Sequence, residues 1–320
     1  MKYKKKTFCQ LQVKLLTIQT LLTGWKISTS LQHQYHYVSD SKNWTEAQTF
    51  CRETYTDLAT IENTEEMKQL INTVSSAGYN SDVWVGLYSK VEWKWSDGYT
   101  GSGAEFRSWE TSDDEPDFVS ANQFCVIIGG GGGWWDDDCS LKYPLICYRG
   151  TQLEPEYVLV NEAMNWSSAQ RHCRENFIDL VTVRNDTENT EIQNLVPSGN
   201  WAWTGLSRDP NFYWSDQSNF SFSNLDNTAN LIGSMRIICG VAALHRSGKW
   251  RFLPCERRLP FVCHSIPPPP VKRQVVKLKD EGGGLLCGSE RPCCESWHPE
   301  KGKSPTSILK HFKWSHSCAQ

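Results

Sequence analysis

The chain has 320 residues, thirteen cysteines, fifteen tryptophans and a formal net charge of -3. That length suits about two domains of ~150 residues each, and interspersed positive and negative residues leave no basic face to neutralise phosphates, so nucleic acid is excluded as a leading partner. Cysteine at this density points to disulfides and an oxidising compartment, hence to a secreted or extracellular protein.

In chain order, residues 1–30 read as a weak signal peptide or leader. Lys2 and Lys4 to Lys6 form a basic start, and Leu15 to Leu22 a short apolar stretch. No segment reaches the ~18 uninterrupted apolar residues of a membrane-spanning helix.

The stretch "NWTEAQTFCRETYTDLATI" from Asn43 then recurs as "NWSSAQRHCRENFIDLVTV" from Asn165, an internal duplication. Trp44, Ala47 and Phe50, like Trp166, Ala169 and Cys173, have helical spacing. Asn43 with Glu46 fits a capped helix start. Second helices are expected over 64–74 and 187–195. Beyond them "WVGL" at Trp84 pairs with "WTGL" at Trp203, and "WSD" at Trp95 with "WSD" at Trp214. Each copy ends in a short strand closed by cysteine, "YPLIC" and "LPFVC".

Asn43, Asn165, Asn185 and Asn219 each open an Asn-x-Ser/Thr glycosylation triplet. For Asn43 and Asn165, helix capping is an equally physical role. Residues 265–320 read as a Pro-rich linker and a disordered tail. The tail's Cys287, Cys293, Cys294 and Cys318, with His298, His311 and His316, match no zinc-finger spacing. With Cys9, those four leave five cysteines outside the repeats.

Each repeat owns four cysteines: Cys51, Cys125, Cys139 and Cys147 in the first, and Cys173, Cys239, Cys255 and Cys263 in the second. Four cysteines permit three pairings, and the sequence does not choose among them. W-x-x-A-x-x-x-C on a helix, then W-x-G-L, a late cysteine pair and a terminal cysteine resemble the C-type lectin-like domain, twice over, at 33–149 and 155–264. The resemblance implies an α+β fold in which two helices flank small antiparallel sheets beneath a long loop region. It implies the pairs Cys51–Cys147, Cys125–Cys139, Cys173–Cys263 and Cys239–Cys255, with a long-loop disulfide stabilising each copy by about 2–5 kcal/mol.

Calcium takes about six to eight oxygen ligands at about 2.3–2.6 Å, and the first repeat concentrates such groups between Ser112 and Cys139. Glu115, Pro116 and Asp117 stand where the family carries its Glu-Pro-Asn or Gln-Pro-Asp sugar-binding triplet. An X-Pro bond goes cis at only ~0.5–1 kcal/mol, so Pro116 can aim both flanking carboxylates at one cation. The triplet's partner in the family, a Trp-Asn-Asp motif, is met here by "WWDDDC". One register aligns Trp134, Trp135 and Asp136 with it, and the other aligns Trp135, Asp136 and Asp137. Gln123 and Asn122 are neutral helpers, since the family's usual acid two residues before Cys125 is Gln123 here. Trp134 or Trp135 is positioned to stack on a sugar face.

The metal set expected is Glu115, Asp117, Gln123, Asp136 and Asp137. The carbohydrate-binding set is Glu115, Asp117, Asn122, Gln123, Trp135 and Asp136. The implied cofactor is Ca2+ in the first repeat alone, because the second has no equivalent triplet and "GKWRFLPC" holds no acid after Trp250. The function implied is calcium-dependent binding of glycans or glycoproteins through the first repeat, with the second a calcium-independent protein-interaction or spacer module. The alternative is calcium-independent protein recognition by both. Enzymatic activity is not expected: beyond the pair Glu115 and Asp117, no nucleophile, base and orienting group assemble in the sequence.

Overall fold

The computed structural model describes residues 33–151 and 154–267. The expected leader, Cys9 and all but the first three residues of the expected linker and tail lie outside them. The described chain is α+β, with four α-helices and two seven-stranded sheets.

Helix α1 (Trp44–Thr54) begins where Asn43 Oδ1 accepts the Glu46 N–H at 2.8 Å and Glu46 answers with its carboxylate. This capping box satisfies two N–H groups that the helix leaves without partners. It buries Trp44, Ala47 and Cys51. Helix α2 (Thr64–Ser76) is capped by Asn63. Helix α3 (Trp166–Asn176) repeats α1 with Asn165 as its cap, but Ser168 at the third position cannot return the second bond. Helix α4 (Asp186–Gln193) starts at Asn185. The glycosylation triplets at Asn43, Asn165 and Asn185 are therefore all helix caps, each using its side-chain oxygen, and Asn219 is exposed in a loop.

Two sheets stand on these helices, and each takes strands from both repeats. In the first sheet β1 (Gln34–Lys42), β2 (Asp57–Leu58) and β3 (Asp82–Lys90) come from the front half of the first repeat. The second sheet takes the next three, β4 (Trp93–Trp95), β5 (Cys125–Gly129) and β6 (Trp134–Asp137), and continues with β7 (Tyr143–Gly150), β8 (Pro155–Met164), β9 (Asp179–Leu180) and β10 (Trp201–Arg208). The chain then returns to the first sheet for β11 (Phe212–Trp214), β12 (Ile237–Ala243), β13 (Lys249–Pro254) and β14 (Leu259–Ser265). The first sheet runs β1-β14-β3-β12-β13 and the second β6-β5-β10-β7-β8. Crossing takes only the connectors 91–92 and 209–211.

The duplication explains why the halves can exchange. In both sheets the same motif meets the same partner: Trp84 aligns with Phe261 in parallel, and Trp203 with Leu145. Cys263 aligns with Leu58, and Cys147 with Leu180. The glycine of each W-x-G-L is held equally: a Cβ on Gly86 would meet Leu58 O at 3.1 Å, and one on Gly205 would meet Val181 O at 2.9 Å. Pairing registers set by the pleat and the apolar pattern are the same whichever copy supplies each half.

The disulfides follow the strands and correct two of the four implied pairs. Cys125–Cys139 and Cys239–Cys255 form as implied, but Cys51 joins Cys263 and Cys147 joins Cys173. Each swapped bond ties a helix to the terminal strand it packs on, and the exchange gives both helices the other repeat's strand. The loops closed are 212 and 26 residues. Taken one at a time, their loop-closure entropies are about 5 and about 3.5 kcal/mol, within about 1 kcal/mol in total of the implied pairing. Disulfide entropy therefore does not select the arrangement.

Candidate metal and ligand site

The segment after β4 carries the triplet, and the cores on both sides hold it. Glu115–Pro116 is a cis peptide bond. Phe118 is fully buried among Phe124, Phe212 and Phe252, the last two from the second repeat. From the same repeat, Asn230 N–H donates to Asp117 O at 2.6 Å and Ile232 N–H to Pro116 O at 3.2 Å. The long loops of the two repeats therefore lie against each other.

The run of five glycines makes the β5–β6 turn. Gly132 has φ of +86°, and a Cβ on Gly130 would meet Pro197 O and Val196 O at 2.8 Å, so both positions need glycine. This turn delivers Trp134 to the core, where its indole N–H donates to Asn189 Oδ1 at 2.8 Å. Alternation along β6 then puts Asp136 on the buried face with Trp134, and Trp135 and Asp137 on the other.

Glu115, Asp117 and Asp136 each bring a carboxylate oxygen within 4.8 Å of the others. Asp136 Oδ1 accepts the N–H groups of Asp117 at 3.0 Å and Phe118 at 3.4 Å, and the Asp136 N–H donates to Glu115 Oε2 at 3.2 Å. Asp136 Oδ2 is buried and accepts no N–H among the described residues; the neighbouring Glu115 carboxyl, when protonated, bonds to the Asp136 side chain. Burial pushes the Glu115 carboxyl well above the usual range, and neighbouring Asp136 pushes it further. Asp136 and Asp117 are also raised, chiefly by burial.

The remaining sequence candidates lie elsewhere. Gln123 Oε1 accepts the Val119 N–H, and Asn122 donates to Asp138. Asp137 accepts from Tyr143 Oη at 2.7 Å and the Asp138 N–H at 2.8 Å. Trp135 donates to Asp113 and meets Trp201 edge-on. The cluster is thus met by the register ending on Asp136.

Oxygens sharing one calcium at about 2.3–2.6 Å lie no more than about 5.2 Å apart, and the 4.8 Å grouping meets that bound. A buried carboxylate oxygen that accepts no N–H is a costly feature that a cation would relieve. A second group, His33, Glu62 and Glu66, meets the same distance criterion. There His33 Nδ1 stands 3.0 Å from Glu66 Oε1, an ion pair when the ring is protonated.

Reasoning within one repeat missed two contributors. Arg208, at the end of β10, is buried with its guanidinium 3.9 Å from the centre of the Phe118 ring and 4.8 Å from that of Phe124. Its charge draws the Asp136 carboxyl down against burial, while its own burial lowers it to about 10. Asn230 is the other: its Oδ1 accepts the Phe252 N–H at 2.7 Å, as Glu115 accepts that of Asp136. The second repeat thus holds an amide and a phenyl ring where the first holds two carboxylates. Neither residue gives a signal in a comparison that treats each repeat as closed on itself.

The family model described as "Lectin C-type domain" matches residues 40–149 and 162–265. The human secretory phospholipase A2 receptor is 24% identical over 316 residues, covering 88% of this chain and 20% of its own length. The rat C-type mannose receptor 2 is 26% identical over 269 residues, covering 72% and 17%. The chain thus spans about a fifth of the length of these relatives. Among solved structures, human lithostathine aligns with 11% identity and a TM-score of 0.32, covering 74% of this chain and 93% of that one.

Proposed function

The chain belongs to the lectin C-type domain family, and from that premise we propose that it binds carbohydrate through a calcium ion held by Glu115, Asp117 and Asp136. The observation that carries this reading is the buried Asp136 Oδ2, which accepts no N–H, inside a group of three carboxylates. Calcium supplies a charge that vicinal sugar hydroxyls can ligate. Glu115 and Asp117 hold that charge at the surface and accept hydrogen bonds from the same hydroxyls, while Asp136 anchors it from beneath. With two carboxylates and no amide in the triplet, the site offers acceptors only. Recognition of this kind breaks and forms no covalent bond, which accords with a binding protein rather than an enzyme.

The back half of the second repeat acts as a calcium-independent module whose loop braces the first. Its Asn230 and Phe252 provide one carbonyl oxygen where two carboxylates would be needed. Four disulfides favour an extracellular setting. No helix among the described residues is long and apolar enough to cross a membrane.

The test is a calcium titration of the full chain followed by thermal unfolding. Ligand at a hundred times its Kd should stabilise the native state by about 2.7 kcal/mol. Glu115→Gln and Asp136→Asn should each abolish that shift, together with calcium-dependent retention on mannose or galactose resin. An unchanged melting temperature at millimolar calcium would rule the site out.

A further inference from the structure

A cleft of about 790 Å³ opens beside the carboxylate cluster, and Glu115 and Pro116 line it. We propose that this cleft is an extended subsite for a neutral oligosaccharide, whose terminal unit sits at the carboxylates and whose following units lie along Trp109 and Trp93. The proposal rests on the carbohydrate reading above and goes beyond it by assigning the ligand's length and path.

The cleft exists because the halves of the repeats exchange. Part of its lining is residues 90–93, the connector from β3 to β4 with the strand residue on either side; the rest comes from the segment 105–116 and from residues 233–237 of the second repeat's loop. The connector is fixed to that loop through the Val91 N–H, which donates to Arg236 O at 2.8 Å. Its volume falls within the ~300–1,000 Å³ of small-molecule sites.

Its chemistry favours sugar. Trp93 and Trp109 have ring centres 5.1 Å apart, and with Met235 and Ile237 they give apolar surface of the kind that carries a pyranose face. Ile237 is 49% exposed. Formal charge nearly cancels: Lys90, Arg107 and Arg236 stand against Glu92 and Glu105, with Glu115 given to the cation. Arg107 is already committed, donating to the carbonyls of Ala104 at 2.8 Å and Phe106 at 2.7 Å. A polyanion such as a sulfated chain therefore finds at most one unit of excess positive charge and two carboxylates against it, whereas a neutral polyol finds rings and hydrogen-bonding groups. Of the carboxylates in the cluster, Glu115 also lines the cleft, so one ligand can reach both.

The experiment compares calorimetric affinities of the full chain, in calcium, for methyl mannoside, methyl galactoside and the corresponding linear tetrasaccharides. For the sugar that binds, the tetrasaccharide should bind at least tenfold tighter than the methyl glycoside. Trp109→Ala should bring the two within threefold. Because Trp109 also packs edge-on against Trp134, Ser234→Trp, which fills the cleft from an exposed position, provides a second variant with the same expected result. In both, methyl glycoside affinity should change less than twofold. Calcium-dependent binding of a methyl glycoside with no gain on lengthening, or a gain that survives both variants, overturns the subsite and leaves the primary reading standing. Binding of neither sugar overturns both.

Discussion

Two loops built on the same repeat lie against each other, and only one gathers three carboxylates into a cluster. In the first, Glu115 accepts the N–H of Asp136; in the second, Asn230 accepts the N–H of Phe252. The backbone bond is kept and the chemistry is not. One version gathers carboxylates around a buried Asp136, the arrangement from which the calcium proposal is made. The other is satisfied by an amide and an aromatic ring, and it contributes to the core beneath its neighbour. At this shared hydrogen bond the two loops differ at both partners, Glu115 and Asp136 against Asn230 and Phe252.

The largest test of this comparison is all or none. Peptide mapping without reduction should recover Cys51 joined to Cys263 and Cys147 joined to Cys173. Recovery of Cys51 with Cys147 would return each loop to its own sheet and break the pairing described above. Next comes the core: Phe252→Ala should cost about 3–5 kcal/mol in chemical denaturation. Asp136→Asn in calcium-free buffer should be neutral or stabilising, because it removes a buried carboxylate. A comparable loss in both would mean that the first loop is structural too.

Arg208→Met should have a smaller effect. Removing a buried positive charge near Asp136 should tighten calcium binding by about three- to tenfold, measured by calorimetry. Weaker binding would mean that Arg208 chiefly positions the loop.

The smallest effect concerns the sheet that supports the second loop. Its hydrogen bond with Glu66 raises His33, outweighing burial, so its stabilisation is complete below the unfolded value near 6.5 and is lost as pH rises through the folded value. Burial pushes Glu66 up, but bonds from His33 and from the Glu62 N–H outweigh it, so its contribution is present above the unfolded value and lost as pH falls through the folded one. The pair therefore stabilises most on the acidic side of neutrality, between those two values. Urea midpoints should decline toward alkaline pH, and His33→Ala should remove that decline.

Much of this was legible in the sequence. The helix starts at Asn43 and Asn165 follow from short-range pattern, while the α+β class and the grouping of Glu115, Asp117 and Asp136 follow from the family resemblance that the repeated motifs carry. Asp137 and Gln123 were not separable from true cluster members, because only the pleat of β6 and the bond to Val119 N–H decide which way each is used. The exchange was hidden for a deeper reason. When two copies carry the same registers, the pattern says which motif pairs with which motif but not which copy supplies it. Arg208 and Asn230 were missed for that reason alone, since each acts on the other repeat's loop.

The strand order also bears on how the protein is made. Gln34 pairs with Ser265, so the first sheet cannot close until nearly all the described chain has left the ribosome. Residues 93–208, by contrast, supply all seven strands of the second sheet as one continuous piece. During synthesis that piece is complete first, while the front half of the first repeat waits with α1 and β3 unpaired. The loop that carries Glu115 and Asp117 emerges within the early-folding piece, but Phe212 and Phe252, which pack beneath it, arrive last.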